Sequence, residues 1–225
     1  MDMNHGGMSE LLQLLKKKAF ARHVKVLWKE EKKQELTNRK KEETMGKVFG
    51  YPEFDENGEQ ILTTYDNEYK DMLMDVRVYR MKAGDEKSFQ KTGEETAVLL
   101  LSGSIEFTFD DVTAKADRKD VFTEGPWCVH VATESKISVK ALADSEILVQ
   151  STKNDTKFES KLYKPEDAPW GYSSVGKFGN VAKRRVNTIF DHDIAPYSNM
   201  VLGEVLNDRG NWSGYLPVSY THLTL

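Results

Sequence analysis

Cysteine is almost absent from this chain of 225 residues, and long apolar runs are missing as well. Cys128 is the only cysteine, which excludes an internal disulfide and a cysteine-based zinc cluster and is typical of a reducing compartment. No segment approaches the roughly 20 apolar residues of a membrane span. The N-terminus has no apolar stretch followed by a small-residue cleavage site. We therefore expect a cytoplasmic protein that does not enter a membrane.

Basic charge is concentrated at the N-terminus and scarce elsewhere. Residues 1–44 contain eleven Lys and Arg against seven Asp and Glu, a net charge of +4, whereas the rest of the chain carries -8. Phosphate binding needs a clustered basic face, so this acidic body argues against nucleic acid as a partner. The charge division also indicates that residues 1–44 differ in kind from the remainder.

The N-terminal segment has a helical pattern. Leu11, Leu15, Ala19 and Val26 recur at helical spacing with lysines between them, which predicts a basic helical extension over residues 1–44. Such a helix either binds a membrane surface or a partner, or is a solvated extension. A third interpretation is that it is not native, because the Lys-Glu-Glu-Thr run before Met45 has purine-rich codons like those of a ribosome-binding site. Met45 would then be the initiator.

From Met45 onward the pattern changes to that of β-strands. The segments DMLMDVRVYRM, SIEFTFD, KISVKAL and EILVQS alternate apolar and polar residues, with Ile105, Phe107 and Phe109 on one face. Turn signals separate them at short, regular intervals, which is typical of an antiparallel sandwich or barrel. They stand at Ala83-Gly84-Asp85, Ser102-Gly103, Asp110-Asp111, Gly125-Pro126 and Asp144-Ser145. We predict an all-β jelly-roll unit over about residues 70–155.

A connector rich in Pro, Gly and Ser follows, YKPEDAPWGYSSVGKFGN, and its broken polar sequence argues against a strand. KRRVNTIF and NMVLGEVL then predict strands of a second β unit that opens near residue 181. About three strands are too few to close a barrel. We expect the unpaired strands around Val201 to Val205 to make the chain associate or aggregate.

Several stretches in order resemble the 5-deoxy-glucuronate isomerase family of bacterial inositol catabolism, two-cupin enzymes related to the 5-keto-4-deoxyuronate isomerases. They cover about Met45 to Pro217. The most specific is APYSNMVLGEVLN followed by GNWSGYLP, and the others are MLMDVRVYRMKAGD, ETAVLLLSGSIEF, RKDVFTEGPWCVHV, KLYKPEDAPWG and RRVNTIFD. The resemblance implies a jelly-roll cupin fold with two barrels. The predicted organisation is a helical extension (1–44), an N-terminal cupin (45–160), a linker (161–180), the start of a C-terminal cupin (181–217) and a tail (218–225).

The resemblance also implies a reaction and a cofactor. The family converts 5-deoxy-glucuronate to 2-deoxy-5-keto-gluconate, so the partner would be a small sugar acid, and a homo-oligomer is a further expectation. Such a proton transfer between adjacent carbons needs a base and an electrophile that stabilises an enediolate. A divalent metal, zinc or manganese, would be the electrophile. Cupins hold it with a His-x-His pair, a Glu and a later His.

The first β unit lacks that metal pattern. Where the cupin motif places His-x-His, the sequence has Phe89-Gln90-Lys91, which leaves Glu95 without an imidazole neighbour. His130 is a lone histidine, and we interpret it as a structural residue rather than a ligand. We predict no metal site in this barrel, which would serve a structural or dimerising role.

The second unit matches the family up to Pro217, and Val218 stands where the His-x-His element is expected. The last eight residues, VSYTHLTL, match a translation of an adapter used in transposase-based sequencing libraries, so we interpret them as a tail joined to a truncated gene. The alternative for His222 is a displaced ligand on a genuine strand, but one His cannot build a four-ligand site. We expect this chain to bind no metal and to be inactive. The catalytic residues and the base are expected beyond Pro217.

Candidate substrate ligands stand at the start of the second unit. Arg184 and Arg185, next to Lys183, are candidates to bind the substrate carboxylate, because Arg offers a bidentate fork. The alternative is a charged strand end that keeps the chain soluble. Asp191-His192-Asp193 predicts a turn, since consecutive side chains of an extended chain point to opposite faces. We interpret Trp127 and Trp170 as packing residues rather than sugar platforms.

The sequence therefore favours a sugar-acid isomerase, and a different class of function stays open. The alternative is a non-enzymatic cupin that binds a sugar acid or serves as a scaffold, whose lack of metal ligands is natural. Genomic DNA beyond the codon for Pro217 discriminates between them. A continuing frame with His-x-His favours the enzyme, and a natural stop favours the binding module.

Overall fold

The computed structural model describes residues 52–67 and 69–211. The predicted helical extension (1–44) and the tail (218–225) lie outside these residues. Within the described part, the only helices are two short 3₁₀ segments, Lys70–Met72 and Lys177–Asn180. None of its helices has the length and hydropathy to cross a membrane.

Nine strands form the first β unit, and every neighbouring pair is antiparallel. One face of the unit has the order β1-β2-β8-β4-β6-β9, and the other has the order β3-β7-β4-β5. The predicted all-β jelly roll is confirmed. The strands are β1 (Glu59–Thr63), β2 (Met74–Met81), β3 (Glu86–Gln90), β4 (Glu94–Phe109), β5 (Val112–Arg118), β6 (Trp127–Val131), β7 (Lys136–Ala141), β8 (Ser145–Lys153) and β9 (Lys161–Tyr163).

Strand β4 belongs to both faces of the jelly roll. Its first half pairs with β6 and β8, and its second half, from Gly103, pairs with β5 and β7. The turn predicted at Ser102-Gly103 is therefore wrong. Gly103 has φ of +105°, and its backbone lies against Asp144 and Ser145. The glycine bends one continuous strand from sheet to sheet, and a local sequence signal cannot distinguish that bend from a chain reversal.

We expect Gly103→Ala to destabilise the jelly roll by more than about 1 kcal/mol, because φ is positive and a Cβ would meet backbone. That Cβ would lie 2.6 Å from the Asp144 carbonyl oxygen and 2.6 Å from Ser145 Cα. Gly84→Ala is the matched control, since Gly84 has φ of +94° but open space around it. Urea unfolding measures both variants. Equal losses would show that the close backbone approach contributes nothing.

The inner faces of the two sheets enclose an apolar core. Ile105, Phe107 and Phe109 all point into it, as their alternation predicts, and the half-buried Trp127 packs against it. The other buried members are Tyr79, Met81, Val98, Leu100, Ala116, Val129, Val131, Ile137, Val139, Ala141, Ile147 and Val149. Burial of this apolar surface is the main stabilisation of the unit.

A second apolar cluster covers the outer face of the β4–β6 sheet. Ala97, Leu99 and Cys128 face outward there and pack against residues of the second β unit, including Phe190 and Leu202. Burial on both faces explains why β4 has an uninterrupted apolar run instead of alternation. The Cys128 thiol is free and fully buried, and desolvation raises its pKa far above the ordinary value.

The second β unit is a three-stranded antiparallel sheet with the order β10-β11-β12. It consists of β10 (Gly171–Ser173), β11 (Arg184–Phe190) and β12 (Leu202–Asn207), so both strands predicted here are confirmed. The expectation that the connector YKPEDAPWGYSSVGKFGN contains no strand is wrong, because β10 lies within it and β9 ends at its first residue, Tyr163. Each has three residues and forms only by pairing with β6 or β11, which leaves no local periodicity to detect.

Candidate functional site

Strand β11 divides its side chains between two faces of the second sheet. Asn187 and Ile189 are buried toward the jelly roll. By alternation Arg184, Val186 and Thr188 point to the opposite side, which we call the open face. In register with them on the neighbouring strands are Gly171, Ser173, Gly203, Val205 and Asn207.

Arg184 lies at one end of the open face. Its guanidinium Nη1 donates to the Ser174 hydroxyl at 3.2 Å and to the Ala182 carbonyl at 3.4 Å, and the side chain is half-buried. No carboxylate pairs with it among the described residues. A guanidinium held in this way can offer its remaining N–H groups to an incoming carboxylate.

Arg185 points to the other side of the sheet. Its Nη2 donates to the Phe122 carbonyl at 2.8 Å, and its guanidinium stacks 5.1 Å from the centre of the Trp170 ring. Lys183 lies over the Tyr172 ring at 4.5 Å. The two arginines proposed together from the sequence therefore lie on opposite faces and do not meet one carboxylate side by side.

The Asp191-His192-Asp193 segment forms a turn. The Asp191 carboxylate accepts from the backbone N–H groups of Asp193 and Ile194, each at 3.1 Å, and the Asp191 carbonyl accepts from Ala195 N. The acidic side chain thus caps its own turn.

Glu95 and His130 form a buried pair on the outer face of the jelly roll. His130 Nε2 donates to Glu95 Oε2 at 2.9 Å, and both side chains are fully buried. The expectation that Glu95 lacks an imidazole neighbour is therefore wrong. β4 pairs with β6 so that Ala97 faces His130, which brings together two side chains that are 35 residues apart in sequence.

The second β unit completes the surroundings of this pair. The Glu95 carboxylate also accepts from Ser198 Oγ at 3.0 Å and from Asn199 N at 2.7 Å, and the His130 ring stacks on Phe190 with centroids 4.3 Å apart. Burial by itself raises the pKa of the Glu95 carboxyl. The hydrogen bonds from His130, Asn199 and Ser198 outweigh burial and hold that pKa below its ordinary range.

A second buried ion pair joins β5 to β12. Arg118 is fully buried and binds both carboxylate oxygens of Glu204, each at 2.8 Å. It also donates to the carbonyls of Leu100 and Glu124, and Glu204 accepts from Asn187 Nδ2. This geometry fixes the second sheet against the jelly roll. The sequence gives no sign of the pair, since 86 residues separate its members.

One end of the jelly-roll interior is lined by charged residues. We call it the polar end and define it by Asp75, Arg77, Lys91, Glu94 and Ser151. Lys91 Nζ lies 3.0 Å from Asp75 Oδ2, 2.7 Å from Ser151 Oγ and 3.3 Å from Glu94 Oε2. Arg77 binds the other side of Asp75, with Nε 2.7 Å from Oδ1.

The carboxyls of the polar end are held in their ionised form. Burial alone raises the pKa of Asp75, but hydrogen bonds from Arg77 and Lys91 outweigh it and keep the pKa below the ordinary range. Burial also raises the pKa of Glu94, but the hydrogen bond from Lys153 and the nearby charge of Lys91 outweigh it and lower that pKa. Sequence reasoning missed this cluster because strands β2, β4 and β8 and the segment after β3 supply its members.

The described residues do not fit the divalent metal that the fold family implies. Across residues 52–67 and 69–211, no three His, Cys, Asp or Glu side chains lie close enough together to hold an ion. At the cupin motif's two histidine positions in the first unit, Phe89 packs against the core and Lys91 places an ammonium between carboxylates. That ammonium repels a metal ion where a ligand would attract one.

Comparison with known proteins agrees with this architecture. Residues 50–221 match the KduI/IolB family. Two curated relatives are both named 5-deoxy-glucuronate isomerase. The protein from Bacillus licheniformis is 26% identical over 150 residues, which are 64% of this chain and 53% of the relative. The protein from Lacticaseibacillus casei is 27% identical over 152 residues, 65% of this chain and 54% of the relative.

The chain spans about half the length of these curated relatives. The crystal structure of an IolB-like protein from Salmonella typhimurium LT2 matches with a TM-score of 0.60 at 16% identity, covering 72% of this chain and 60% of that one. This likeness supports the fold, so the predicted all-β cupin architecture is confirmed. With more than half of its length matched by one family, the chain belongs to the KduI/IolB family.

Proposed function

We propose that the protein is a 5-deoxy-glucuronate isomerase of inositol catabolism, which converts the aldehyde 5-deoxy-D-glucuronate to 5-dehydro-2-deoxy-D-gluconate. The observation that carries the proposal is the shared name of the curated relatives, about half of whose length this chain matches. The reaction would take place in the cytoplasm, as expected for a chain with a single free cysteine.

The contribution of the described residues would be to bind the substrate carboxylate. Arg184 on the open face is the candidate, because its guanidinium is held by neutral oxygens and keeps N–H donors available. Arg185 would act indirectly, by fixing the strand through Phe122 and Trp170. The zinc or manganese ion implied by the resemblance finds no set of three ligands among the described residues, so no step of the reaction is assigned to it.

The proposal is tested with protein purified from the native organism and 5-deoxy-glucuronate. Proton NMR should show loss of the aldehyde signal and growth of the ketose. In the same protein, Arg184→Met should raise KM by roughly tenfold to a hundredfold, since a hydrogen bond to a charged group is lost. Lys183→Met is the matched control, because that ammonium faces the Tyr172 ring, and its KM should stay near the wild-type value.

The outcomes separate the two classes of function. Saturable binding of the sugar acid without turnover at any added divalent metal would favour the non-enzymatic binding module. Absence of both binding and turnover would contradict the proposal altogether. The same assay on the 225-residue chain tests the prediction that it is inactive by itself, and sizing chromatography tests the expected association through Val201 to Val205 and the expected homo-oligomer.

A further inference from the structure

The polar end of the jelly roll has a cation of its own. Strand β3 alternates, with Lys87 and Phe89 half-buried and their neighbours exposed. Lys91 stands two residues after Phe89, so its side chain points to the same inner side of the barrel. Its ammonium reaches Asp75, Ser151 and Glu94 within 3.3 Å, one contact for each of its three N–H donors. An ammonium bonded in this way leaves no room for another cation between the two carboxylates.

The charges around Lys91 are already balanced. Glu59, Asp75 and Glu94 face Arg77, Lys91 and Lys153 through contacts of 2.6–3.3 Å. Asp75 and Glu94 expose only 11% and 9% of their side chains, so neither carboxylate can rely on water to screen its charge. A divalent ion added to this set would raise the net charge by two in a poorly solvated place.

We propose that Lys91 is the resident cation of the first barrel, and that it bridges Asp75 and Glu94 in place of a divalent metal ion. The barrel is then metal-independent because an ammonium holds the position between its carboxylates. The inference is independent of the proposed isomerase activity, since it concerns charge compensation inside the first barrel.

The test replaces Lys91 with Ala and uses Mn²⁺ as the probe. Mn²⁺ should not bind at Asp75 and Glu94 in the wild type, so it should not raise the melting temperature by way of these residues. In Lys91→Ala the two carboxylates lose the cation that they share and keep only Arg77 and Lys153 on their other oxygens, so the melting temperature should fall without metal and recover with Mn²⁺. Calorimetric titration should show Mn²⁺ binding at least about a hundredfold tighter than in the wild type, because a positive charge a few ångströms from the ion has been removed.

Two controls define the site. Lys153→Ala removes the exposed lysine bound to the other oxygen of Glu94 and should create no Mn²⁺ response, since Lys91 remains in place. Adding Asp75→Asn and Glu94→Gln to Lys91→Ala should abolish the gained response. If the triple variant still responds, the ion binds elsewhere and the proposal fails.

A result on the wild type alone can also overturn the proposal. If Mn²⁺ raises the wild-type melting temperature and Asp75→Asn removes that shift, the barrel binds metal despite Lys91. Lys91→Arg keeps the positive charge, so we expect it to fold and its melting temperature not to change with Mn²⁺. A Mn²⁺ response in Lys91→Arg equal to that of Lys91→Ala would show that charge at this position does not control metal binding.

Discussion

Arg118→Met should lower the free energy of unfolding by about 3–5 kcal/mol, the usual cost of removing one member of a buried ion pair. The Arg118 side chain is fully buried and that of Glu204 is 11% exposed. Without the guanidinium, the Glu204 carboxylate keeps only the side-chain amide of Asn187 as a hydrogen-bond donor among the described residues. The carbonyls of Leu100 and Glu124 lose a donor in the same variant.

The loss should be concentrated at the docking of the second sheet. Urea unfolding measures the free energy, and hydrogen exchange of the β12 amides reports whether the sheet separates before the jelly roll unfolds. In Arg118→Leu combined with Glu204→Leu, part of the stability should return, because no charge is then left buried alone. A double-mutant cycle isolates the coupling between the two residues.

Lys82→Met serves as the matched control for this pair. Lys82 and Asp144 form an ion pair of similar length, 2.7 Å, but their side chains are 82% and 65% exposed. Water screens such a pair, so its loss should change stability little. If Arg118→Met behaved like Lys82→Met, the β5–β12 pair would not hold the second sheet in place.

The second large effect is expected at Glu95. Glu95→Ala should also cost about 3–5 kcal/mol, because it removes the partner of His130 and the acceptor for Ser198 and Asn199 in a fully buried site. His130 Nδ1 already has no hydrogen-bond partner among the described residues, so the variant leaves both ring nitrogens unpaired. Chemical unfolding near neutral pH measures the loss.

The pH dependence of stability gives an independent check on Glu95. Its pKa is lowered in the folded protein, so the unfolded chain binds the proton more readily and this stabilisation is present above the ordinary carboxyl value near 4.3. It is lost as the pH falls below that value, toward the lowered pKa. Glu95→Gln should therefore show a flatter fall of unfolding free energy on acidification than the wild type.

Glu86→Gln is the control for the acid series. Glu86 pairs with Lys140 at 2.9 Å, but its side chain is 67% exposed. Its substitution should leave the acid profile close to that of the wild type. If the unfolding free energy of Glu95→Gln fell with pH as steeply as that of the wild type, the acid sensitivity would come from other carboxyls. Asp75 and Glu94 are candidates, because their pKa values are lowered as well.

Local pattern was sufficient for the strands of the barrel core. Ile105, Phe107 and Phe109 alternate with polar residues, and the structure buries all three. The local turn signal was misleading at Ser102-Gly103, because the bend inside β4 uses the same residue types as a chain-reversing turn. Local pattern also failed for β9 and β10, whose three residues adopt extended structure through their partners.

The candidate site was predictable only in part. Arg184 and Arg185 were found from their residue type and position, but the two faces of β11 follow from which side packs on the jelly roll. Lys91 was recognised as a departure from a metal motif. Its role as a cation became visible only with Asp75, Glu94 and Ser151 around it, since strands β2, β4 and β8 bring these residues from distant parts of the chain.

The sequence by itself determined the all-β class, the inward faces of the long strands and the family, because these depend on the order and alternation of neighbouring residues. Only the tertiary structure decided how the buried charges are paired: Glu95 with His130, Arg118 with Glu204, and Lys91 with Asp75 and Glu94. The physical reason is that a buried charge takes its partner from whatever strand lies beside it. Adjacency across a sheet is set by global packing rather than by distance along the chain.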